Sequence, residues 1–200
     1  MTQREKAPKS RREDILRAAL AAYGEKGLFN TRIEEVAAAA GIGKGTIYEY
    51  FRSKEELLSA AIRFEMEEMS EQIRRNIAGE STVRGKLKAI VETVMDRNGQ
   101  KCYQGLDMSP ANIGSGMKGL RDLVLEQNAR WRGWLEEVID EGAAKGEIRR
   151  VDSRLFLGAI MGTIIQLTHP WEDSVWKTIP PGEAAEQVAD FFLEGIKKRG

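Results

Sequence analysis

Apolar residues recur at spacings of three and four along nearly the whole chain, which is the period of an amphipathic helix. Ser10, Thr31 and Ser53 each stand three positions before a glutamate, a spacing in which hydroxyl and carboxylate cap a helix start. The pattern predicts helices over residues 11–25, 32–40, 44–51, 54–78, 82–97, 120–145, 153–168 and 183–198. Pro110 and several glycines interrupt residues 100–119, where short helices or an irregular segment are expected. Because no strand-like alternation persists, the predicted fold class is all-α.

The turn in residues 41–51, GIGKGTIYEYF, permits two interpretations. A phosphate-binding loop would need a glycine in place of Ala38 and a serine or threonine in place of Gly45. The preceding RIEEVAAAA favours a helix, whereas such loops follow a strand. Spacing and context therefore exclude a phosphate-binding loop.

The other interpretation is a helix-turn-helix. Ala37 provides a small contact between two crossing helices, and Gly41 provides the positive φ that closes the turn. Apolar residues on the facing sides would form a small core; they are Val36, Ala40, Ile42, Ile47 and Phe51. The second helix of this motif is the third helix of the chain, over residues 44–51. Its opposite face then carries Lys44, Gly45, Tyr48, Glu49 and Arg52. Glycines at a helix start let another surface approach the backbone, and the free N–H groups there suit a phosphate. The pattern indicates a helix that faces DNA.

Charge is distributed unevenly along a chain of 200 residues that has no formal net charge. Residues 1–54 contain 11 Lys and Arg against 7 Asp and Glu, which leaves 20 against 24 for residues 55–200. The basic arm of residues 1–10 suits a polyanion, although a solvated tail would have the same composition. The N-terminus has no apolar leader, no apolar run is long enough to span a bilayer, and Cys102 is the single cysteine. A cytoplasmic protein without membrane contact is expected.

Residues 15–62 resemble the N-terminal domain of TetR-family transcriptional regulators. The resemblance rests on EKG at residues 25–27, GTIY at 45–48, YF at 50–51 and SKEELL at 53–58. It implies a basic arm over residues 1–10, a three-helix DNA-binding domain with a helix-turn-helix over 11–53, and a larger helical effector-binding and dimerisation domain over 54–200. The third helix would enter the major groove of DNA.

The resemblance also implies a set of DNA contacts. These are Thr31, Arg32, Lys44, Gly45, Thr46, Tyr48, Tyr50 and Lys54. Lys44 could pair with guanine O6 and N7, and Lys54 matches a frequent phosphate contact. Glu49 is difficult to place, because phosphates repel a carboxylate; it either accepts from a cytosine N4 or points away.

Two further sets of residues, mainly apolar, lie in the larger domain, and in the first of them Tyr103 and Gln104 are the polar groups expected to orient a ligand. The first is predicted to line an effector pocket, although ordinary core packing would explain most of it: Met66, Met69, Ile73, Val91, Val94, Met95, Tyr103, Gln104, Leu106, Met108, Ile113 and Met117. The second is predicted to form a homodimer interface, with monomer core as the alternative: Trp131, Trp134, Leu135, Val138, Phe156, Ile160 and Ile164.

The sequence contains few residues of the types that catalysis and metal binding use. His169 is the single histidine, and a histidine before proline at a helix end is more often a polar cap than a metal ligand. No catalytic residue, metal or cofactor is therefore expected. The predicted function is a ligand-responsive repressor that binds a pseudo-palindromic double-stranded DNA operator as a homodimer and is released by a small apolar or amphipathic effector. The alternative is a helical small-molecule-binding protein, or an enzyme, of the same fold that does not read DNA.

Overall fold

The computed structural model describes residues 10–27, 30–98, 118–168 and 178–196. These residues form helices and no sheet, which confirms the predicted all-α class. The helices are α1 (Arg11–Lys26), α2 (Ile33–Ala39), α3 (Lys44–Tyr50), α4 (Lys54–Ala78), α5 (Val83–Asn98), α6 (Lys118–Lys145), α7 (Ser153–Thr168) and α8 (Pro181–Ile196). In the described part of the chain, no helix combines the length and the apolar character that crossing a membrane requires.

The chain divides into two compact units, unit 1 (Met1–Glu65) and unit 2 (Met66–Gly200), and the division falls inside α4. In unit 1, α1 packs on α2 and α2 packs on α3. Its core consists of side chains that are almost fully buried, among them Leu16, Tyr23, Val36, Ile47, Phe51 and Leu57. Unit 1 is therefore a helical domain with its own core, as a helix-turn-helix domain requires.

Two of the three predicted helix caps are present. The Glu13 amide donates to the Ser10 hydroxyl at 3.3 Å, and the Glu56 amide donates to the Ser53 hydroxyl at 3.1 Å. The third prediction is wrong by one residue, because α2 begins with Arg32 as its cap, and the Arg32 amide donates to Glu35 Oε2 at 2.8 Å.

Thr31 is buried beneath the start of α2 instead of capping it. Its hydroxyl lies 2.8 Å from the Gly27 carbonyl oxygen and 3.1 Å from that of Ala22, so it ties the start of α2 to the end of α1. The predicted contact of the Thr31 side chain with DNA is therefore corrected, because this side chain is buried and its hydroxyl is hydrogen-bonded within unit 1.

The corner between α2 and α3 depends on one glycine. Gly41 has a φ of 66°, and the Ile42 amide donates to the Ala37 carbonyl at 3.0 Å. Ala37 is buried at the corner, as the small residue of a helix-turn-helix should be. The sequence-based assignment of this turn agrees with the observed backbone.

Two alanine substitutions should separate the glycine that the corner needs from one that it does not need. Gly41→Ala should destabilise unit 1 by about 1–2 kcal/mol, because an L residue is strained at this positive φ. Gly45→Ala, inside α3, should stabilise it by about 0.5–1 kcal/mol, because alanine is the better helix former. An added methyl at Gly45 would meet no atom within 4 Å. Urea unfolding followed by far-UV circular dichroism measures both, and equal effects would contradict the assigned corner.

Unit 2 is built around one apolar core. Helix α5 packs against α6, α7 and α8, and α6 packs against α7. The core draws buried side chains from every helix of the unit, including Ile73, Leu87, Val94, Met95, Val138, Ile139, Phe156, Ile160 and Ala185. Phe156 and Phe192 meet edge to face, with ring centroids 5.5 Å apart. This core surrounds the cavity described below.

Candidate nucleic-acid interface and effector cavity

Helix α3 has one face in the core of unit 1 and the other face in solvent. Ile47 is fully buried, whereas the side chains of Tyr48 and Tyr50 are 45% and 41% exposed. Lys44 and Gly45 at the start of α3 are also exposed, and no atom lies within 4 Å of where a Gly45 side chain would begin. The exposed face of α3 is therefore open for another surface to approach the backbone.

The structure places most of the predicted DNA contacts where solvent can reach them. Arg32 is exposed, and Thr46 and Lys54 are half-buried. Thr31 is the exception, as described above. For these side chains no contact with DNA has been tested, and their roles stay predictions.

An ion pair at the start of α3 joins it to α2. Lys44 Nζ lies 2.5 Å from Glu34 Oε1, and both side chains are about half exposed. The hydrogen bond from Lys44 lowers the pKa of the Glu34 carboxyl, and the same bond raises the pKa of the Lys44 ammonium. Lys44 Nζ also lies 6.0 Å from the centroid of the Tyr48 ring. Sequence reasoning missed Glu34, although a carboxylate on α2 ten residues before a lysine across a tight corner is a signal that could have found it.

A cavity of about 40 Å³ lies within unit 2. Its lining comes from α4, α5, α6 and α7 and is entirely hydrophobic in residue type: Ile73, Ile77, Ile90, Val94, Trp131, Trp134, Leu135, Val138, Leu157, Ile160 and Met161. Apolar cavities of this kind stay dry and bind apolar ligands. The arrangement therefore suits a hydrocarbon group better than a polar molecule.

The predicted pocket residues divide into three groups. Ile73 and Val94 line the cavity. Met69, Val91 and Met95 are buried in the core that surrounds it, and Met66 is half-buried. The others lie outside the described residues: Tyr103, Gln104, Leu106, Met108, Ile113 and Met117.

The apolar faces of α6 and α7 that were assigned to a dimer interface lie inside the single chain. Trp131, Trp134, Leu135, Val138 and Ile160 line the cavity, and Phe156 is buried in the core. A side chain that is already buried in one chain has no surface to lose to a partner. The predicted place in a dimer interface is therefore corrected for Leu135, Val138, Phe156 and Ile160. The side chain of Ile164 lies outside the described residues.

Three polar side chains meet behind the cavity wall. Trp131, whose ring lines the cavity, donates its Nε1–H to the Ser70 hydroxyl at 3.1 Å, and Gln127 Nε2 donates to the same oxygen. Ser70 and Gln127 are both buried. These hydrogen bonds fix the indole of Trp131 against α4. In the sequence, the signal for this network is the polar Ser70 on an otherwise apolar face of α4.

Metal-binding and catalytic groups were not expected. Within the ranges that the structure describes, no three His, Cys, Asp or Glu side chains come together in a way that could hold a metal ion. His169 and Cys102 lie outside those ranges.

A helix-turn-helix with a solvent-facing second helix, followed by a helical unit around an apolar cavity, defines a DNA-binding transcriptional regulator. Residues 15–61 match the family model described as bacterial regulatory proteins of the tetR family. This match covers the segment on which the resemblance to TetR-family transcriptional regulators rests, and it confirms that resemblance.

Comparisons over longer ranges agree with this assignment. The fatty acid metabolism regulator protein of Bacillus subtilis (strain 168) is 28% identical over 163 residues, which cover 78% of this chain and 81% of that protein. The HTH-type transcriptional repressor KstR2 of Rhodococcus jostii (strain RHA1) is 25% identical over 150 residues, with 69% and 70% covered.

Solved structures share the fold over nearly the full length. The fatty acid degradation regulator FadR of Bacillus halodurans superposes with a TM-score of 0.76 at 25% identity and covers 97% of this chain and 100% of its own. The transcriptional regulator FadR of Bacillus subtilis, in complex with stearoyl-CoA, gives a TM-score of 0.77 at 22% identity, with 92% and 98% covered.

Proposed function

We propose that this protein is a ligand-responsive transcriptional repressor that binds a pseudo-palindromic operator as a homodimer. The observation that carries the proposal is the exposed face of α3, with Lys44, Gly45 and Tyr48 on it and Ile47 buried beneath. A second helix of this kind enters the major groove, and its first residues contact base edges. Two copies would bind half-sites about one helical turn apart.

The proposed DNA contacts are the predicted ones without Thr31. Lys44 reads a base, and the small Gly45 lets the start of α3 approach the duplex. Thr46, Tyr48 and Tyr50 contact the sugar-phosphate backbone or a thymine methyl, while Arg32 and Lys54 bind phosphates.

The proposed effector is an amphipathic molecule with a long acyl chain. The wholly hydrophobic cavity supports this class, and the relative from Bacillus subtilis is named as a regulator of fatty acid metabolism. A cavity of about 40 Å³ is smaller than such a chain, so binding has to widen it. Helix α4 lines the cavity with Ile73 and Ile77 and begins in unit 1, so its displacement would lower DNA affinity. Coupling of this kind typically amounts to about 1–3 kcal/mol.

The proposed dimer face is the exposed side of α7 and α8. Leu155 and Phe191 are 77% and 76% exposed, which is unusual for side chains of this size. Gly158, Ala159 and Gly162 on α7 are also exposed and would allow close approach of a partner helix. This face replaces the buried residues that the sequence had suggested.

The test of DNA reading is the affinity for random-sequence duplex at several salt concentrations, measured by fluorescence anisotropy. Lys54→Ala should weaken binding to every duplex and lower the salt slope by about two units, because each chain of the homodimer loses one phosphate contact. Lys145→Ala, which removes an exposed lysine in the last turn of α6 in unit 2, is the control and should leave the slope unchanged. Sedimentation of the wild-type complex with a duplex selected from a random library should show two chains per site.

One result would contradict the proposed DNA binding, and another would remove a single residue from the proposed contacts. Absence of duplex affinity at low salt would favour a small-molecule-binding protein of this fold that does not read DNA. An unchanged slope for Lys54→Ala would remove that residue alone from the contacts. Release of the selected duplex by a saturated long-chain acyl-CoA tests the effector class separately.

A further inference from the structure

The single cation within α3 is paired inside the protein. Helix α3 reads KGTIYEY, and its Lys44 ammonium lies 2.5 Å from the carboxylate of Glu34 on α2. The Tyr48 ring lies on the same exposed face, with its centroid 6.0 Å from the ammonium. The base-reading candidate is thus paired with Glu34 and lies near the Tyr48 ring in the free protein.

Pairing changes what the Lys44 ammonium can attract. A lysine and a glutamate together carry no net charge, so the attraction of Lys44 for a phosphate is offset by the repulsion of Glu34. The ammonium has three N–H donors, and one suffices for Glu34. The other two stay able to donate to O6 and N7 of guanine, which are neutral acceptors that Glu34 does not repel as it repels a phosphate.

We infer that Glu34 is a positioning residue for base reading: it holds Lys44 over the exposed face of α3 and keeps it from binding phosphates of arbitrary sequence. The inference rests on the proposed DNA-binding function. A free lysine has a long flexible stem, and ordering it on a base costs side-chain entropy, part of which the pair with Glu34 has already removed. Glu34 therefore raises the discrimination between a guanine and other bases at the position that Lys44 reads.

The experiment compares Glu34→Gln with wild type on random duplex and on the duplex selected by the wild-type protein. Affinity for random duplex should rise about five- to tenfold near 0.1 M salt, and the salt slope should steepen by about two units, because Lys44 of each chain becomes free to bind a phosphate. The ratio of selected to random affinity should fall. Glu35→Gln is the matched control: it makes the same charge change one residue away, where the carboxylate pairs with Lys26 instead.

Two further measurements tie the effect to Lys44. In a Lys44→Ala background, Glu34→Gln should change random-duplex affinity less than about twofold, because pairs that interact show non-additive effects and independent charges add. When each guanine of the selected half-site is replaced in turn, Lys44→Ala and Glu34→Gln should lose discrimination at the same base pair.

The outcomes separate this inference from the proposed function. It is overturned if Glu34→Gln behaves like Glu35→Gln, if its effect survives intact in the Lys44→Ala background, or if selected and random affinities rise equally. Failure of both wild type and Glu34→Gln to bind any duplex would overturn the proposed function together with the inference. Duplex binding by wild type that Glu34→Gln leaves unaltered would overturn the inference alone.

Discussion

Replacing Phe51 by alanine should destabilise unit 1 by about 3–5 kcal/mol, the usual result of removing a buried aromatic side chain. Phe51 is 1% exposed and lies directly after α3, where its amide donates to the Ile47 carbonyl at 2.9 Å. The Arg12 guanidinium lies 5.1 Å from the centroid of its ring, so the substitution also removes a contact with α1. Duplex binding should be lost with the fold of unit 1.

Tryptophan fluorescence provides an internal reference for this measurement. Trp131, Trp134, Trp171 and Trp176 are the tryptophans of the chain, and all belong to unit 2. Urea unfolding of Phe51→Ala should therefore show an early transition in far-UV circular dichroism that the tryptophan emission does not follow. Phe51→Leu, which keeps an apolar side chain in the site, should lose less stability. A circular dichroism midpoint like that of wild type would contradict the burial of Phe51.

Local signals were sufficient to predict the helices and the helix-turn-helix. Caps at Ser10 and Ser53 and the glycine at Gly41 act through backbone groups a few residues away, so short sequence windows contain their causes. The same holds for the alternation of Ile47 with the exposed residues of α3, because one helical turn decides which side faces the core.

Contacts between helices could not be predicted from short sequence windows. Thr31 fitted a capping box, and only its hydrogen bonds to Ala22 and Gly27 in the folded domain show why its hydroxyl is used elsewhere. Periodicity identified the apolar faces of α6 and α7, but it does not say what covers them. A helix of the same chain and a helix of a partner present the same kind of surface.

The second large effect is expected at the cavity. Leu157 on α7 lines it and is half-buried. In Leu157→Phe the added ring should occupy space that an acyl chain needs, so the affinity for a saturated long-chain acyl-CoA should fall at least about tenfold, or about 1.4 kcal/mol. Overpacking should cost the fold about 1–3 kcal/mol. DNA affinity should be retained, which would give a repressor that the effector no longer releases.

Titration followed by tryptophan emission measures the loss directly, because Trp131 and Trp134 both line the cavity. Leu125→Phe is the matched control: it makes the same chemical change on α6, where the side chain is 47% exposed and contributes nothing to the lining. This variant should bind the acyl-CoA and release the duplex as wild type does. If Leu157→Phe also titrated like wild type, the acyl chain would have to bind elsewhere, and the proposed coupling of this cavity to DNA affinity would lose its support. A fall in affinity confined to Leu157→Phe would instead place the acyl chain in this cavity, where Leu157 of α7 and Ile73 and Ile77 of α4 line the same space.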